Sequence, residues 1–220
     1  MSEIVLMSDP KVAAIPVAEC GERLVDVRRG KSLLIDSRKQ DPADAYAYVR
    51  EGVVERLIEA QKLLPHGLRL LFVEGYRPPS LQRAYFEEYA GQLRAIHADW
   101  SAEQIHSAAS RYVSPPDIAP HSAGAAVDLT LADAEGRELE LGTRMNVDPE
   151  ESDGACYTHA ANISTEARAN RKLLGSVLTA AGLVNYPTEW WHWSFGDRYW
   201  ALITGETAAL YGPTEMASSA

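Results

Sequence analysis

His121-Ser-Ala-Gly-Ala-Ala-Val-Asp-Leu-Thr-Leu131 is the stretch on which the fold turns. Pro115, Pro116 and Pro120 lie just upstream and forbid regular structure up to Gly124. From Ala125 the run AAVDLTL alternates and carries enough β-branched residues for a strand. His121 and Asp128 are seven apart, two turns of a helix if the segment were helical, but the proline-glycine context makes it a loop emptying into a strand. An aspartate inside such a strand is costly to bury unless it is paired or bound to a cation. The stretch therefore predicts a central strand with a polar feature on it.

Upstream, Leu68 to Val73 (LRLLFV) reads as a second buried strand, closed by the loop E-G-Y-R-P-P at 74–79. A helix is expected from Asp41, which can cap, through Pro42 in the first turn, with Tyr46, Val49, Val53, Leu57, Ala60 and Leu64 at helical spacing up to Pro65. A second helix follows from about Ser80 to His97. Ser101-Ala-Glu-Gln104, a capping-box pattern, announces a third. Downstream, residues 132–163 form a turn-rich excursion with an acidic stretch at 148–153. A helix from about Ser164 to Ala181 stops at Gly182, and a short one from Asp197 to Ile203 comes last.

Helices and short strands alternate irregularly, with no repeat and no glycine-rich nucleotide loop. The expected fold class is α+β, a small central, mostly antiparallel sheet flanked by helices, with the polar feature of the 121–131 stretch at the sheet. The expectation is one domain over residues 1–220, its core at about 45–203 and a frayed tail over 214–220.

Composition narrows the partners. With 46% hydrophobic residues, 24% charged residues and five Trp, the chain has the makings of a real core. A formal charge of −10 with no Lys/Arg-rich run repels polyanions, so no nucleic acid partner is expected. No run approaches the roughly 20 apolar residues of a membrane span, and Asp9, Pro10 and Lys11 interrupt any apolar leader. Two cysteines, Cys20 and Cys156, are too few for a disulfide framework, which points to a reducing cytoplasm. A homo-oligomer is compatible with the sequence.

The chemistry should lie where His, Asp or Glu interrupts a buried pattern. His121 at the mouth of the strand, Asp128 within it, and His192 among the tryptophans of E-W-W-H-W (189–193) qualify. Two imidazoles and a carboxylate, with a fourth place for water, suit a catalytic zinc. Spacing alone leaves the bland readings open, an edge aspartate and a hydrogen-bonded core histidine. Glu189 and His192 would point to opposite faces of a regular strand, so a bulge or a strand end is needed to aim both inward.

E-G-Y-R-P-P at 74–79, H-S-A-G-A-A-V-D-L-T-L at 121–131, N-R-K-L-L at 170–174 and E-W-W-H-W at 189–193, in this order, resemble the D-alanyl-D-alanine dipeptidases of the vancomycin-resistance type, within the wider zinc D-Ala-D-Ala peptidase family. The resemblance spans roughly residues 45–200. It implies one zinc per chain on His121, Asp128 and His192, Glu189 as general base, Arg77 as the charge that meets the oxyanion, and a small dipeptide-like or amide substrate related to the cell wall. Tyr76, Trp190 and Trp191 then order and dry the site, with Tyr76 also a candidate substrate contact. His159 matches no ligand and is expected in a supporting role.

Two departures fall on recognition. Where the family has a serine for the substrate carboxylate, this chain has Ala119; where the family's G-T-x-F-D supplies an aspartate for the ammonium, this chain reads Gly142-Thr-Arg-Met-Asn146. Asp148, two places on, is the candidate replacement, and Arg144 a candidate for a relocated carboxylate. Three functions follow: a dipeptidase, the same chemistry on another amide (N-acyl, L,D- or non-proteinogenic), or a non-catalytic zinc module.

Overall fold

The computed structural model describes residues 4–30, 32–41, 43–110 and 112–216. In chain order the elements are α1 (Pro10–Ala14), β1 (Leu24–Asp26), β2 (Leu34–Ile35), β3 (Tyr48–Arg50), α2 (Glu51–Leu63), β4 (Arg69–Glu74), α3 (Pro79–Ile96), α4 (Ala102–Ala109), β5 (Ala126–Ala132), α5 (Thr165–Ala180), β6 (Val184–Asn185), β7 (His192–Ser194) and α6 (Arg198–Thr204). One sheet runs β2-β4-β5-β7-β6 and a second pairs β1 with β3. Only β2–β4 is parallel, so the sheet is mostly antiparallel, as the sequence implies.

β5 carries the architecture because it is buried along its whole length. Its Val127, Leu129 and Leu131 join Leu70 and Phe72 of β4 in the main core, together with Val53, Leu57 and Ala60 of α2 and Leu174, Val177 and Leu178 of α5. Successive strand residues face opposite ways, so Asp128 and Thr130 project to the other side of the sheet. The site is built on that second side, with the helix-packed core behind it as a rigid backing.

The helix expected from Asp41 begins only at Glu51. Residues 45–47 form a 3-10 turn, and Tyr48–Arg50 pair antiparallel with β1, Val49 opposite Val25. The Asp41 carboxylate does cap, but it caps a turn, accepting from the N–H groups of Ala45 and Tyr46 at 3.1 and 3.0 Å. Pro42 lies outside the described residues. The later helices match expectation, including the reciprocal Ser101–Gln104 capping box and the Ser164 cap of α5.

The C-terminal segment is also tied down further than expected. Thr214 donates its N–H to Ser122 O at 3.0 Å and accepts from the Tyr76 hydroxyl at 2.8 Å. Residues 217–220 lie outside the described residues.

Two buried arginines organise the loops. Arg50 donates to Ala123 O at 2.8 Å and to Gly212 O at 3.2 Å, and pairs with the Glu19 carboxylate at 3.1 Å. Arg171, from the N-R-K-L-L motif, donates to the carbonyls of Leu141, Tyr157 and Ala155 at 2.6, 2.7 and 2.9 Å. It staples the long excursion to α5, and burial pushes its pKa down to about 10. The buried carbonyls of Leu141 and Ala155 would lose this donor without it.

Candidate active site

Register across three strands lines up the polar residues. Glu74 of β4 stands opposite Asp128 of β5, and Asp128 stands opposite His192 of β7. A register shift between Phe72 and Glu74 precedes the first of these pairs. Directly opposed residues share a face of the sheet, so Glu74, Asp128 and His192 form one row on the side away from α2 and α5.

His121 reaches this row from the 3-10 turn Pro120–Ala123, which Gly124 ends in the left-handed region at φ 65. A side chain at Gly124 would place its Cβ 2.3 Å from Leu24 Cδ2, so glycine is required for space as well as for φ. The Nδ1–H of His121 donates to Gly75 O at 2.6 Å, which leaves Nε2 as a bare acceptor facing the row. That nitrogen lies 3.2 Å from His192 Nδ1 and 3.4 Å from Asp128 Oδ1, and His192 Nδ1 lies 3.2 Å from the same oxygen.

These spacings fit a metal ion. Donors about 2.0–2.1 Å from a tetrahedral zinc sit roughly 3.3–3.4 Å from one another, and the three separations are 3.2, 3.2 and 3.4 Å. The set is His, His and Asp, all three residues are buried, and it offers three places where a catalytic zinc needs three. Burial pushes the Asp128 carboxyl up, but the two histidines outweigh it and hold it well below the usual carboxylate range.

Glu189 solves the orientation problem by standing outside the strand. The His192 N–H donates to Glu189 O at 3.2 Å across a tight turn, and β7 begins only at His192. The strand end therefore aims both side chains the same way, with Glu189 Oε2 3.8 Å from His192 Nδ1. Burial pushes the Glu189 carboxyl up to about 7; His192 and Arg77 oppose this, while Asp128 and Glu74 reinforce it. Trp190 and Trp191, each 1% exposed, cross at 87° beside the turn, and the Trp190 indole N–H is satisfied by Thr143 Oγ1 at 2.8 Å.

Arg77 is clamped rather than free on the surface. Its Nε donates to Glu74 Oε1 at 2.7 Å and its Nη1 to Gln82 Oε1 at 2.9 Å. Among the described residues Nη2 has no protein acceptor. Lys39 Nζ pairs with the other Glu74 oxygen at 3.2 Å. Burial pushes Glu74 up, but Arg77, His121 and Lys39 together hold it at about 2. Sequence reasoning missed Glu74, Gln82 and Lys39. The signal for Glu74 was its place three before Arg77 in E-G-Y-R-P-P; Lys39 gave none.

A cavity of about 280 Å³ opens over this floor, and Lys39, Arg77, Ala119, Asn146, Trp191 and Glu189 are among its walls. Both departures from the family pattern, Ala119 and Asn146, are thus wall residues. Asn146 holds a left-handed φ of 58 and its carbonyl accepts from the Tyr112 hydroxyl at 3.0 Å. Tyr76, expected as a substrate contact, is not a wall residue: it is 1% exposed and its hydroxyl is spent on Thr214. Asp148 is also displaced from this cavity, because its Oδ1 caps the loop by accepting the Glu151 N–H; it lines an adjoining cavity instead. Arg144 pairs with Glu151 at 2.7 Å, and His159 is exposed.

The chain has relatives among known proteins. Residues 37–205 match the peptidase M15 family model, described as D-ala-D-ala dipeptidase. A D-alanyl-D-alanine dipeptidase of Synechocystis sp. is 29% identical over 216 residues, covering 86% of this chain and 87% of its own. One of Enterococcus faecium is 30% identical over 167 residues, covering 71% and 79%. Among solved structures the LdcB LD-carboxypeptidase is 17% identical with a TM-score of 0.48, covering 96% of this chain and 89% of its own, a distant likeness. Since the family match takes in most of its 220 residues, the chain belongs to the peptidase M15 family of D-ala-D-ala dipeptidases and is a hydrolase of the metallopeptidase kind.

Proposed function

We propose that this chain is a zinc-dependent dipeptidase that cleaves the amide of a small dipeptide-like substrate, with one zinc on His121, Asp128 and His192. One observation carries the reading: three donor atoms converge at zinc-like spacing with a carboxylate of raised pKa beside them. Zinc bound there would supply Lewis-acid polarisation of a carbonyl and acidify water toward pH ~7.

The chain's own groups then divide the work. Glu189, with its pKa near 7, exists in both forms at neutral pH. It takes a proton from the attacking water as the new C–O bond forms, and delivers it to the leaving amine as the C–N bond breaks. Arg77 keeps its charge throughout, and its unpartnered Nη2 is the donor available to a developing oxyanion. Glu74 fixes Arg77 in place. Gly75 O fixes the tautomer of His121, so that the nitrogen turned to the metal is the one without a proton.

The relatives' names make D-alanyl-D-alanine the first substrate to test. A second reading is favoured by Ala119 and Asn146, since both line the cavity and neither supplies the family's polar group. It keeps the chemistry and moves it to another amide, such as an N-acyl, L,D- or non-proteinogenic amino-acid conjugate. The free cysteines Cys20 and Cys156 suit a reducing cytoplasm.

The test is a zinc titration followed by a screen of L,L, L,D and D,D dipeptides and acylated amino acids, with Glu189→Ala as control. The expected result is about one zinc per chain and turnover that falls by about 10² or more in the variant. Stoichiometric zinc with no turnover of any amide, or a Glu189→Ala protein as active as wild type, sinks the reading.

A further inference from the structure

Beside the metal floor lies a second, larger cavity of about 590 Å³, against about 280 Å³ for the first. Its walls differ in character. Leu93, Ile96, Trp100, Val147 and Tyr157 supply apolar and aromatic surface, with Asp148 and Glu150 among the polar residues that complete it. Ile96, the last residue of α3, is 72% exposed, more than any other large hydrophobic described as exposed. Trp100 is held as a wall by His97, whose ring stacks on it at 3.7 Å and 4°. The volume lies within the ordinary range of ligand pockets, about 300–1,000 Å³.

The two cavities share walls. Tyr89, Gln92, Tyr112 and Glu189 line both. A substrate whose scissile amide lies at Glu189 therefore has room on either side of that bond. Charge sets the direction. The first cavity sets the cations Lys39 and Arg77 among Glu88, Asp128 and Glu189, while among the described residues the second carries Asp148, Glu150 and Glu189 with no Lys or Arg, so it is the more negative of the two. A zwitterionic peptide is oriented by this gradient, with its carboxylate toward Lys39 and its amine-bearing residue toward the second cavity.

We propose that the second cavity is a subsite for a large apolar side chain on the amine-side residue of the substrate, so that the enzyme acts on dipeptides with a bulky aliphatic or aromatic first residue and a free carboxylate. The proposal rests on the dipeptidase reading above and deepens it. Burying a large apolar side chain contributes about 1.5–3 kcal/mol, which is about ten- to hundredfold in affinity.

The test separates binding from turnover. Dipeptides sharing one C-terminal residue and carrying Ala, Leu, Phe or Trp first, in both configurations, are assayed with the zinc-loaded enzyme. Their binding to the Glu189→Gln protein is measured in parallel by calorimetry. The expected result is kcat/KM about ten- to hundredfold higher for the Phe or Trp dipeptide than for the Ala one, with the same ranking in Kd. Ile96→Glu, at an exposed position that folding tolerates, lowers kcat/KM for the Trp dipeptide at least about fivefold more than for the Ala dipeptide. Equal or better use of the Ala dipeptide, or an Ile96→Glu loss that is the same for both, overturns the subsite while leaving the dipeptidase reading standing. If no dipeptide is turned over, the calorimetric ranking still decides: tighter binding of the Trp dipeptide supports the subsite, and a flat ranking removes it.

Discussion

The floor of the site and its rim are built by different means. On the floor, Glu74, Asp128 and His192 stand in one row because three neighbouring strands are in register, and Glu189 leaves the end of the same sheet. On the rim, Lys39, Ala119, Asn146 and the displaced Asp148 all come from loops. The row of Glu74, Asp128 and His192 is held by ladder hydrogen bonds and a close-packed core behind it, so its geometry changes only if the sheet does. The rim can change one residue at a time. Both departures from the family pattern fall on the rim, which is where selection can alter the substrate without touching the chemistry.

The sharpest way to break this contrast is on the floor. Asp128→Asn keeps size and register but removes the charge that two histidines hold ionised. Zinc content is expected to fall from about one per chain to near zero, with kcat/KM down more than about a hundredfold, since even residues supporting a metal ligand cost 10–100-fold when lost. Metal analysis and kinetics on the same preparation check it. A variant that keeps its zinc and most of its activity would place the metal elsewhere.

The same contrast explains what the sequence disclosed. LRLLFV and AAVDLTL were legible as strands because apolar runs bounded by Pro and Gly carry their own punctuation. The Ser101 capping box and the Ser164 start of α5 were legible because capping is local. The segment from Asp41 was not. Tyr46 and Val49 sit at helical spacing from Val53, yet Val49 is buried by pairing with Val25, a partner far upstream that no window around residue 49 contains. His121, Asp128, His192 and Glu189 could be named from motif resemblance; strand register gives the physical reason Asp128 and His192 meet, while turns deliver His121 and Glu189 to them. Lys39 and Gln82 had no such signal, because each is brought to the site only by tertiary packing around Glu74 and Arg77.

A smaller effect is expected on the rim. Ala119→Ser with Asn146→Asp restores a hydroxyl and a carboxylate at two cavity positions, and Asp tolerates the left-handed φ of 58 that Asn146 adopts. The pair is expected to raise kcat/KM for D-alanyl-D-alanine about ten- to hundredfold, the range that one regained polar complement supports. Zinc content should stay unchanged. Steady-state kinetics on D,D and L,D dipeptides checks it, and no gain on either would remove these two positions as determinants of the substrate.

The smallest effect is on stability, and its sign follows from Glu189. In the metal-free protein its carboxyl titrates at about 7, against an ordinary value of 4.5. Between those values the folded state holds a proton that the unfolded state has released, so the contribution of Glu189 to stability is fully present below about pH 4.5 and is lost as pH rises through 7. The interval sets a ceiling of about 3 kcal/mol, and the 17% exposure of the Glu189 side chain brings the expected penalty nearer 1–2 kcal/mol. Glu189→Gln removes the ionisation. Its metal-free form should match the wild type near pH 4.5 and exceed it by about 1–2 kcal/mol at pH 8, as read from urea midpoints at both pH values. Zinc should erase the difference at pH 8, because a nearby cation stabilises the carboxylate that burial disfavours. A gap that is the same at both pH values would mean that the variant acts through packing, and that the carboxyl at the floor of the site is not poised near neutrality.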